Sequence, residues 1–216
     1  MIKKKIDLIL FDFDGTILDS ETDIVNSVNL MLKKLGLKEK KHSQIAGFIG
    51  TGVKQLIIDS LESPDPARVQ EAIKIYKDFY SVHMFDNTSL YPGVVEVLEH
   101  FKGKKKVIIS NKSSEFIRMG VDKFGISKYF LKILSGDDEN CRKPSPCPII
   151  NLIKEFNVSP RNSIIIGDSL FDIKSGKDAG ILTCGVTYGI GKKEDVIVAK
   201  PDFVIDDIVK LKDILM

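Results

Sequence analysis

The chain has 216 residues, 43% of them hydrophobic and 29% charged, so it is long enough for one large core or for a core domain with a smaller partner. Its 32 basic and 30 acidic residues leave a net charge of +2, which excludes the strong positive field expected of a protein that binds nucleic acid or an anionic membrane. No run approaches the roughly 18 apolar residues of a membrane span.

The three cysteines and three histidines are scattered and form no zinc-binding pattern. None of the cysteines lies in a Cys-x-x-Cys sequence, and an odd number cannot all pair within one chain. We therefore expect a reducing, cytoplasmic compartment, and oxygen ligands for any bound metal.

The first predicted element is a strand over residues 6–13, a short apolar run that ends in acidic residues and glycine. The following interval contains no convincing strand but three helical patterns, over residues 21–35, 53–61 and 67–85. Gly50-Thr51-Gly52 begins the middle helix, and Ser63-Pro64-Asp65-Pro66 separates it from the third. We predict a helical domain of residues 19–88, inserted into a core domain formed by residues 1–18 and 89–216.

Strands and helices alternate regularly after the insertion. Strands are predicted at residues 106–110, 132–134, 163–167, 181–186 and 202–205. Helices are predicted between them at residues 113–124, 146–156 and 171–179. This succession is typical of a parallel sheet with helices on both faces. The predicted fold class is α/β, a Rossmann-like parallel-sheet core with an inserted helical domain.

Four of the predicted strands have polar residues at or just beyond their carboxyl ends. In chain order these are Asp12-Phe13-Asp14-Gly15-Thr16, Ser110-Asn111-Lys112, Arg142-Lys143-Pro144, and Gly167-Asp168-Ser169 with the nearby Asp172. Ligands bind outside the carboxyl ends of the strands in open parallel sheets, so the fold brings the four groups to one edge. Each group is common by itself, but four in this order indicate a functional site.

Several carboxylates at one edge repel one another unless a cation neutralises them, and Mg²⁺ prefers oxygen ligands. Asp12, Asp168 and a carbonyl near Asp14 are suited to hold such an ion. Asp12 and Asp14 point the same way from an extended chain, so one can attack phosphorus while the other protonates the leaving alcohol. Ser110 and Lys143 are suited to bind phosphate, with added backbone donors from the loop after Asp12.

These residues resemble the haloacid dehalogenase superfamily. Asp12 and Asp14 match its first motif, of nucleophile and general acid/base, while Ser110 and Lys143 match the hydroxyl and lysine of its second and third motifs. The run from Gly167 to Asp172 resembles its metal-binding fourth motif, and the insertion lies where the family carries a mobile helical cap. The resemblance implies catalytic Asp12, Asp14 and Lys143, and a Mg²⁺ site involving Asp12, Asp14, Asp168 and Asp172. The implied phosphate-binding or substrate-binding residues are Gly15, Thr16, Ser110, Asn111 and, in the cap, Lys54.

Within that family, an acid at position 14 favours phosphate esters, since dehalogenases and phosphonate-cleaving members lack it. Asp19-Ser20, Ser110-Asn111-Lys112 and Arg142-Lys143-Pro144 resemble phosphoglycolate phosphatases, and Gly50-Thr51-Gly52 resembles their substrate-facing cap loop. We predict a Mg²⁺-dependent phosphatase that acts on a small phosphorylated metabolite through an aspartyl phosphate, as a monomer or homodimer.

Other functions fit parts of the pattern. A phosphomutase of the β-phosphoglucomutase kind shares all four motifs but returns the phosphate to a bound sugar. A pyrophosphatase or nucleotidase of the same superfamily is a further alternative. A signalling receiver also accepts phosphate on an Asp at a sheet edge, but its acceptor Asp lies after the third strand. Here the third predicted strand ends in Leu134-Ser135-Gly136, without an Asp at that position. A non-catalytic ligand-binding descendant would not need every catalytic position filled, as they are here.

Overall fold

The structure is a computed structural model that describes residues 3–61 and 65–216. Ser63 and Pro64, which belong to the predicted separator between two helices, lie outside the described residues. So do Met1 and Ile2 of the predicted core domain.

The described chain contains a parallel sheet and a short antiparallel ribbon. In chain order the strands are β1 (Leu8–Phe11), β2 (Leu18–Asp19), β3 (Ser89–Leu90), β4 (Lys105–Ile109), β5 (Lys132–Leu134), β6 (Ser163–Gly167), β7 (Leu182–Val186) and β8 (Phe203–Ile205). The parallel sheet has the order β5-β4-β1-β6-β7-β8, and β2 pairs with β3. All four residues of β1 are buried because it lies between β4 and β6, which explains its unbroken apolar sequence.

Helices cover both faces of this sheet and fill the insertion. They are α1 (Glu21–Lys34), α2 (His42–Ala46), α3 (Val53–Ser60), α4 (Pro66–His83), α5 (Val94–His100), α6 (Ser114–Lys123), α7 (Cys147–Phe156), α8 (Leu170–Asp178), α9 (Lys193–Val198) and α10 (Leu211–Ile214). The predicted α/β class is confirmed. The sequence reading of three helices in the insertion was wrong, because α2 is a fourth; it has five residues and buries only Ile45, too little for a visible period.

Three apolar clusters organise the molecule. Side chains of β1 alternate between two of them, with Ile9 and Phe11 on one face of the sheet and Leu8 and Leu10 on the other. The third cluster lies among α1–α4, which we call the cap, and it includes Phe116 from α6 of the core. The β2–β3 ribbon lies beside both predicted junctions of the insertion; the domain bounds themselves stay a prediction.

One disulfide bond departs from the sequence expectation. Cys141 and Cys147 are bonded, with their Cα atoms 5.4 Å apart, while Cys184 is a free, buried thiol. The turn that carries Lys143 brings the two cysteines together, although the odd number of cysteines and the lack of a Cys-x-x-Cys sequence had favoured a reducing compartment. Within the described ranges, no helix has both the length and the apolar character needed to cross a membrane.

Candidate active site

The turn after β1 places two carboxylates at the sheet edge. The backbone N–H of Asp12 continues the ladder by donating to Ile166, 2.9 Å away. The chain then turns tightly, since the N–H groups of Ile17 and Leu18 both donate to the Phe13 carbonyl at 2.9 Å. Phe13 is fully buried, whereas Asp12 and Asp14 on either side of it line a cavity.

Three buried aspartates meet at the floor of this cavity, where Asp12 and Asp168 belong to the lining and the fully buried Asp172 does not. Ligand oxygens of Asp12, Asp168 and Asp172 lie within 4.8 Å of one another. Lys143 reaches into the group, with its Nζ 2.8 Å from Asp12 Oδ1 and 2.6 Å from Asp172 Oδ1. The cluster therefore sets three carboxylates against one ammonium group.

Burial and this excess of carboxylates raise the pKa values of two of the aspartates. Burial, followed by the charge of Asp172, raises the pKa of Asp12 to about 7. Burial and the charges of the two neighbouring aspartates raise the pKa of Asp168 to about 8. Burial alone would lower the pKa of Lys143, but Asp12 and Asp172 outweigh it and raise that pKa, which keeps the lysine charged. The site is short of positive charge.

The free oxygens of the cluster suit a hard divalent cation. Among the described residues, Asp12 Oδ2 and Asp168 Oδ1 accept no hydrogen bond. Both oxygens of Asp172 are engaged, Oδ1 by Lys143 and Oδ2 by the N–H and hydroxyl of Ser169. Asp12 and Asp168 thus offer carboxylate oxygens of the kind that Mg²⁺ binds, and Asp172 supports the site by holding Lys143.

Two glycines allow the backbone to pack against Asp168. A Cβ on Gly15, whose φ is +78°, would lie 2.1 Å from Asp168 Oδ2. The N–H of Gly191 donates to the same oxygen at 2.8 Å, and a Cβ on Gly191 would lie 1.9 Å from the Asp168 carbonyl oxygen. A side chain at Gly15 would displace this carboxylate, and one at Gly191 would displace the Asp168 backbone carbonyl.

Asp14 is fixed by a different set of partners. Its Oδ1 accepts a hydrogen bond from the hydroxyl of Ser20 at 2.6 Å. Lys112 Nζ lies 3.0 Å from both of its oxygens, and Tyr80 of the cap contacts that Nζ in turn. Asp14 therefore lies outside the Asp12 cluster, and the ammonium group of Lys112 is its positively charged partner.

The cavity, about 520 Å³ in volume, lies between the sheet edge and the cap. Its floor is polar and includes Ser110 and Asn111 beside the aspartates. Its opposite side, which we call the cap wall, is mostly apolar and consists of Ile24, Ala46, Ile49, Val53, Leu56, Tyr76 and Tyr80. Polar cap residues at the margin are Glu21, His42, Ser43 and Thr51.

The structure brings some predicted phosphate ligands to the cavity and leaves others outside it. Ser110 lines the cavity, and its Oγ accepts only a long 3.4 Å contact from the N–H of Lys112. Asn111 also lines it, but its Nδ2 donates to the carbonyls of Gly50 and Lys143. It thereby joins the predicted Gly50-Thr51-Gly52 loop to the core.

Three predicted ligands are placed elsewhere. Lys54 points away from the cavity and pairs with Glu139 at 3.0 Å. Thr16 is fully buried outside the cavity lining, and the N–H of Gly15 donates to the Leu18 carbonyl at 2.8 Å. The backbone of Gly15 packs against Asp168, and neither Lys54 nor Thr16 lines the cavity, so the phosphate-binding roles of all three stay predictions.

Sequence reasoning missed three groups that hold the acids: Ser20, Tyr80 and Gly191. Ser20 belongs to the pair Asp19-Ser20 that the resemblance had marked, but no contact with Asp14 was predicted for it. Lys112, the partner of Asp14, belongs to the predicted group Ser110-Asn111-Lys112. Tyr80 gave no signal, since a tyrosine within an amphipathic helical pattern is an ordinary core residue.

Comparison with known proteins identifies the family. The family model of haloacid dehalogenase-like hydrolases matches residues 9–186. A phosphoglycolate phosphatase from Aquifex aeolicus (strain VF5) is 35% identical over 211 residues, covering 95% of this chain and 96% of that protein. Another, from Nitrosococcus oceani, is 31% identical over 98% of this chain and 97% of its own length.

A solved structure supports the same family assignment. The crystal structure of a predicted phosphoglycolate phosphatase from Haemophilus somnus 129PT superposes with a TM-score of 0.92 at 27% identity, over 96% of this chain and 97% of that one. The resemblance inferred from the four strand-end groups is thereby confirmed. The chain belongs to the haloacid dehalogenase-like hydrolase family.

Proposed function

We propose that this protein is a Mg²⁺-dependent phosphatase that hydrolyses a small phosphate monoester through an aspartyl phosphate on Asp12. The observation that carries the proposal is the buried cluster of Asp12, Asp168, Asp172 and Lys143 on the cavity floor, with Asp14 beside it. The names of the relatives at 31–35% identity support the same class of reaction.

In the first half of the reaction, a carboxylate oxygen of Asp12 forms a bond to phosphorus and the bond from phosphorus to the ester oxygen breaks. Lys143 and the N–H of Phe13, which both contact Asp12 Oδ1, hold the nucleophile in one orientation. Asp14 gives its proton to the departing oxygen. Mg²⁺ bound at Asp12 and Asp168 would neutralise charge on the phosphoryl group and on the acids.

In the second half, Asp14 as a carboxylate takes a proton from water, and the water oxygen forms a bond to phosphorus. The bond between phosphorus and Asp12 breaks, which releases inorganic phosphate and restores the Asp12 carboxylate. Ser110 is the predicted hydroxyl that lines the cavity, and we assign it to binding the phosphoryl oxygens.

The first candidate substrate is phosphoglycolate, on the strength of the relatives' names. The cavity admits a small metabolite, and the polar cap residues in its lining, His42, Ser43 and Thr51, suit the carboxylate of a glycolate leaving group better than the apolar cap wall does. The cytoplasmic location and the state as monomer or homodimer stay predictions.

A phosphate-release screen with MgCl₂ over phosphoglycolate, sugar phosphates, nucleotides and pyrophosphate tests the proposal. We expect turnover of at least one monoester, reversible loss with a chelator, and loss by at least roughly a thousandfold in Asp12→Asn. Turnover that survives either treatment would contradict it. Conversion of a hexose 1-phosphate to its isomer without release of phosphate would instead establish a phosphomutase.

A further inference from the structure

A lysine outside the nucleophile cluster joins Asp14 to the cap. Lys112 follows β4 in the core, and its side chain is only 7% exposed. Its ammonium group has three N–H donors. The structure provides three acceptor atoms at hydrogen-bond distance, the two oxygens of Asp14 at 3.0 Å and the hydroxyl oxygen of Tyr80 at 2.7 Å. No donor is left over for a substrate.

The cap fixes the far side of this lysine. Tyr80 lies on α4 and is 1% exposed. Its ring also lies under the ammonium group, with Nζ 4.6 Å from the ring centroid. The ring in turn stacks on Tyr76 with centroids 5.4 Å apart, and meets Phe116 of the core edge-on at 4.9 Å. Tyr80 is therefore held rigidly by its neighbours.

Asp14 has little else to orient it. Apart from the two contacts with Lys112, the side-chain partner of Asp14 among the described residues is the Ser20 hydroxyl at 2.6 Å. Lys112 takes both Asp14 oxygens and Ser20 takes one, so the plane of the carboxylate follows the position of Nζ. That position depends on a side chain of the cap.

We propose that Lys112 is a positioning residue that orients Asp14 toward the leaving oxygen, and that Tyr80 links this orientation to the seating of the cap. The inference rests on the proposed function, because it assigns a support to its general acid/base. A misplaced acid fails to deliver its proton, even though the nucleophile and the metal-binding oxygens are intact.

The test compares two leaving groups. An alkyl phosphate needs a proton on its departing oxygen, whereas p-nitrophenyl phosphate releases a stable anion that needs none. In kcat/KM, which reports the steps up to phosphoenzyme formation, Lys112→Met should lose roughly tenfold to a hundredfold for the best alkyl substrate, part of what general acid catalysis contributes. It should lose only a few-fold for p-nitrophenyl phosphate. Lys112→Arg, which keeps the charge, should restore part of the loss.

Tyr80→Phe removes only the hydroxyl and should lower the alkyl-to-aryl ratio by roughly fivefold, as expected for one hydrogen bond. In the Lys112→Met background the same substitution should change the ratio little, because Tyr80 acts through Lys112. Tyr80→Phe also carries the test if Lys112→Met does not fold. The matched control is Lys123→Met, which removes an exposed lysine 5.5 Å from the ring centroid of Phe85, away from the cavity lining.

Equal losses for both substrates in Lys112→Met, or an undiminished effect of Tyr80→Phe in that background, would overturn the inference alone. A native enzyme that hydrolyses neither ester with Mg²⁺ would overturn the proposed function and the inference together. A ratio shift in Lys123→Met as large as that in Lys112→Met would reduce the effect to general loosening of the cap and overturn it.

Discussion

The two sides of the cavity differ in chemistry. The floor, at the carboxyl edge of the sheet, holds three aspartates and a lysine, all less than 10% exposed. The cap wall opposite is built from apolar and tyrosine side chains, and Lys54 of the cap points away from the cavity to Glu139. Charges on the floor can act on a phosphoryl group that every substrate shares. The cap wall can discriminate only between substrates that differ in their leaving groups.

The same two sides differ in how they are held together. Asp12, Ser110 and Asp168 lie just beyond strand ends that the backbone ladder fixes, whereas Lys143 lies in a loop and Asp172 in the first turn of α8. Cap residues reach the cavity through helix packing and a few polar contacts with the core. The following changes test whether reaction and selection are separated in this way.

Asp168→Asn should have the largest effect, since it removes a charge with a free oxygen at the metal site. We expect the Mg²⁺ concentration for half-maximal activity to rise by roughly a hundredfold. Phosphate release over a MgCl₂ titration measures it, and Asp178→Asn, an exposed acid paired with Lys174, is the matched control. An unchanged Mg²⁺ requirement would remove Asp168 from the site.

Asp23 ties the beginning of the cap to its end. It is buried in the first turn of α1 and accepts hydrogen bonds from the N–H and side chains of Asn87 and Thr88 at 2.7–3.1 Å. Asp23→Asn should cost about 2.5 kcal/mol of unfolding free energy, because an amide places N–H groups against these donors. Denaturant unfolding measures it, and Asp59→Asn of α3, a change at a half-buried side chain, is expected within about 0.5 kcal/mol of native.

The pH dependence of that loss has a defined sign. Burial alone would raise the pKa of Asp23, but the bonds from Asn87 and Thr88 outweigh it and hold the pKa below its ordinary value. The ionised Asp23 carboxylate therefore makes its full contribution to the unfolding free energy above its unfolded pKa of about 3.9. This contribution disappears as the pH falls through the lower pKa of Asp23 in the folded protein. The stability gap between native and Asp23→Asn should close below about pH 4, and a constant gap would refute the assignment.

The disulfide closes the short loop that carries Lys143 on the floor. Replacing both Cys141 and Cys147 by Ser should cost about 2 kcal/mol by the chain-entropy relation for a loop of this length. Reductant should lower the melting temperature of the native protein to that of the double variant. It should leave the melting temperature of the double variant unchanged. A native melting temperature indifferent to reductant would show that the bond contributes nothing.

The smallest effect is expected at the cap wall. Ile49→Ala removes apolar area that faces the leaving group, so kcat/KM values across a panel of monoesters should change relative to one another by roughly tenfold. The rate of phosphoenzyme hydrolysis should stay unchanged, since the leaving group has gone by then. A slower hydrolysis step would break the separation between floor and cap wall.

The floor was predictable from sequence because each acid follows a buried apolar run, and parallel strands bring their carboxyl ends together. Two strands, β5 and β6, have the predicted bounds. Asp12, Asp168 and Lys143 form one cluster, and Asp14 and Ser110 line the same cavity. The direction of a cap side chain depends instead on how helices pack. Lys54 follows a glycine turn as predicted, yet α3 directs it toward Glu139. Tyr80, in the last turn of α4, contacts Lys112, which is the partner of Asp14.

The central claim is attack by Asp12 on phosphorus, and trapping the phosphoenzyme tests it most directly. Native protein mixed with a labelled substrate and Mg²⁺ is quenched in acid within one turnover, and its peptides are mapped by mass spectrometry. We predict one phosphoryl group on the peptide that contains Asp12, sensitive to hydroxylamine and absent from Asp12→Asn. Turnover with the label on another residue, or with no labelled peptide at any quench time, would contradict the account.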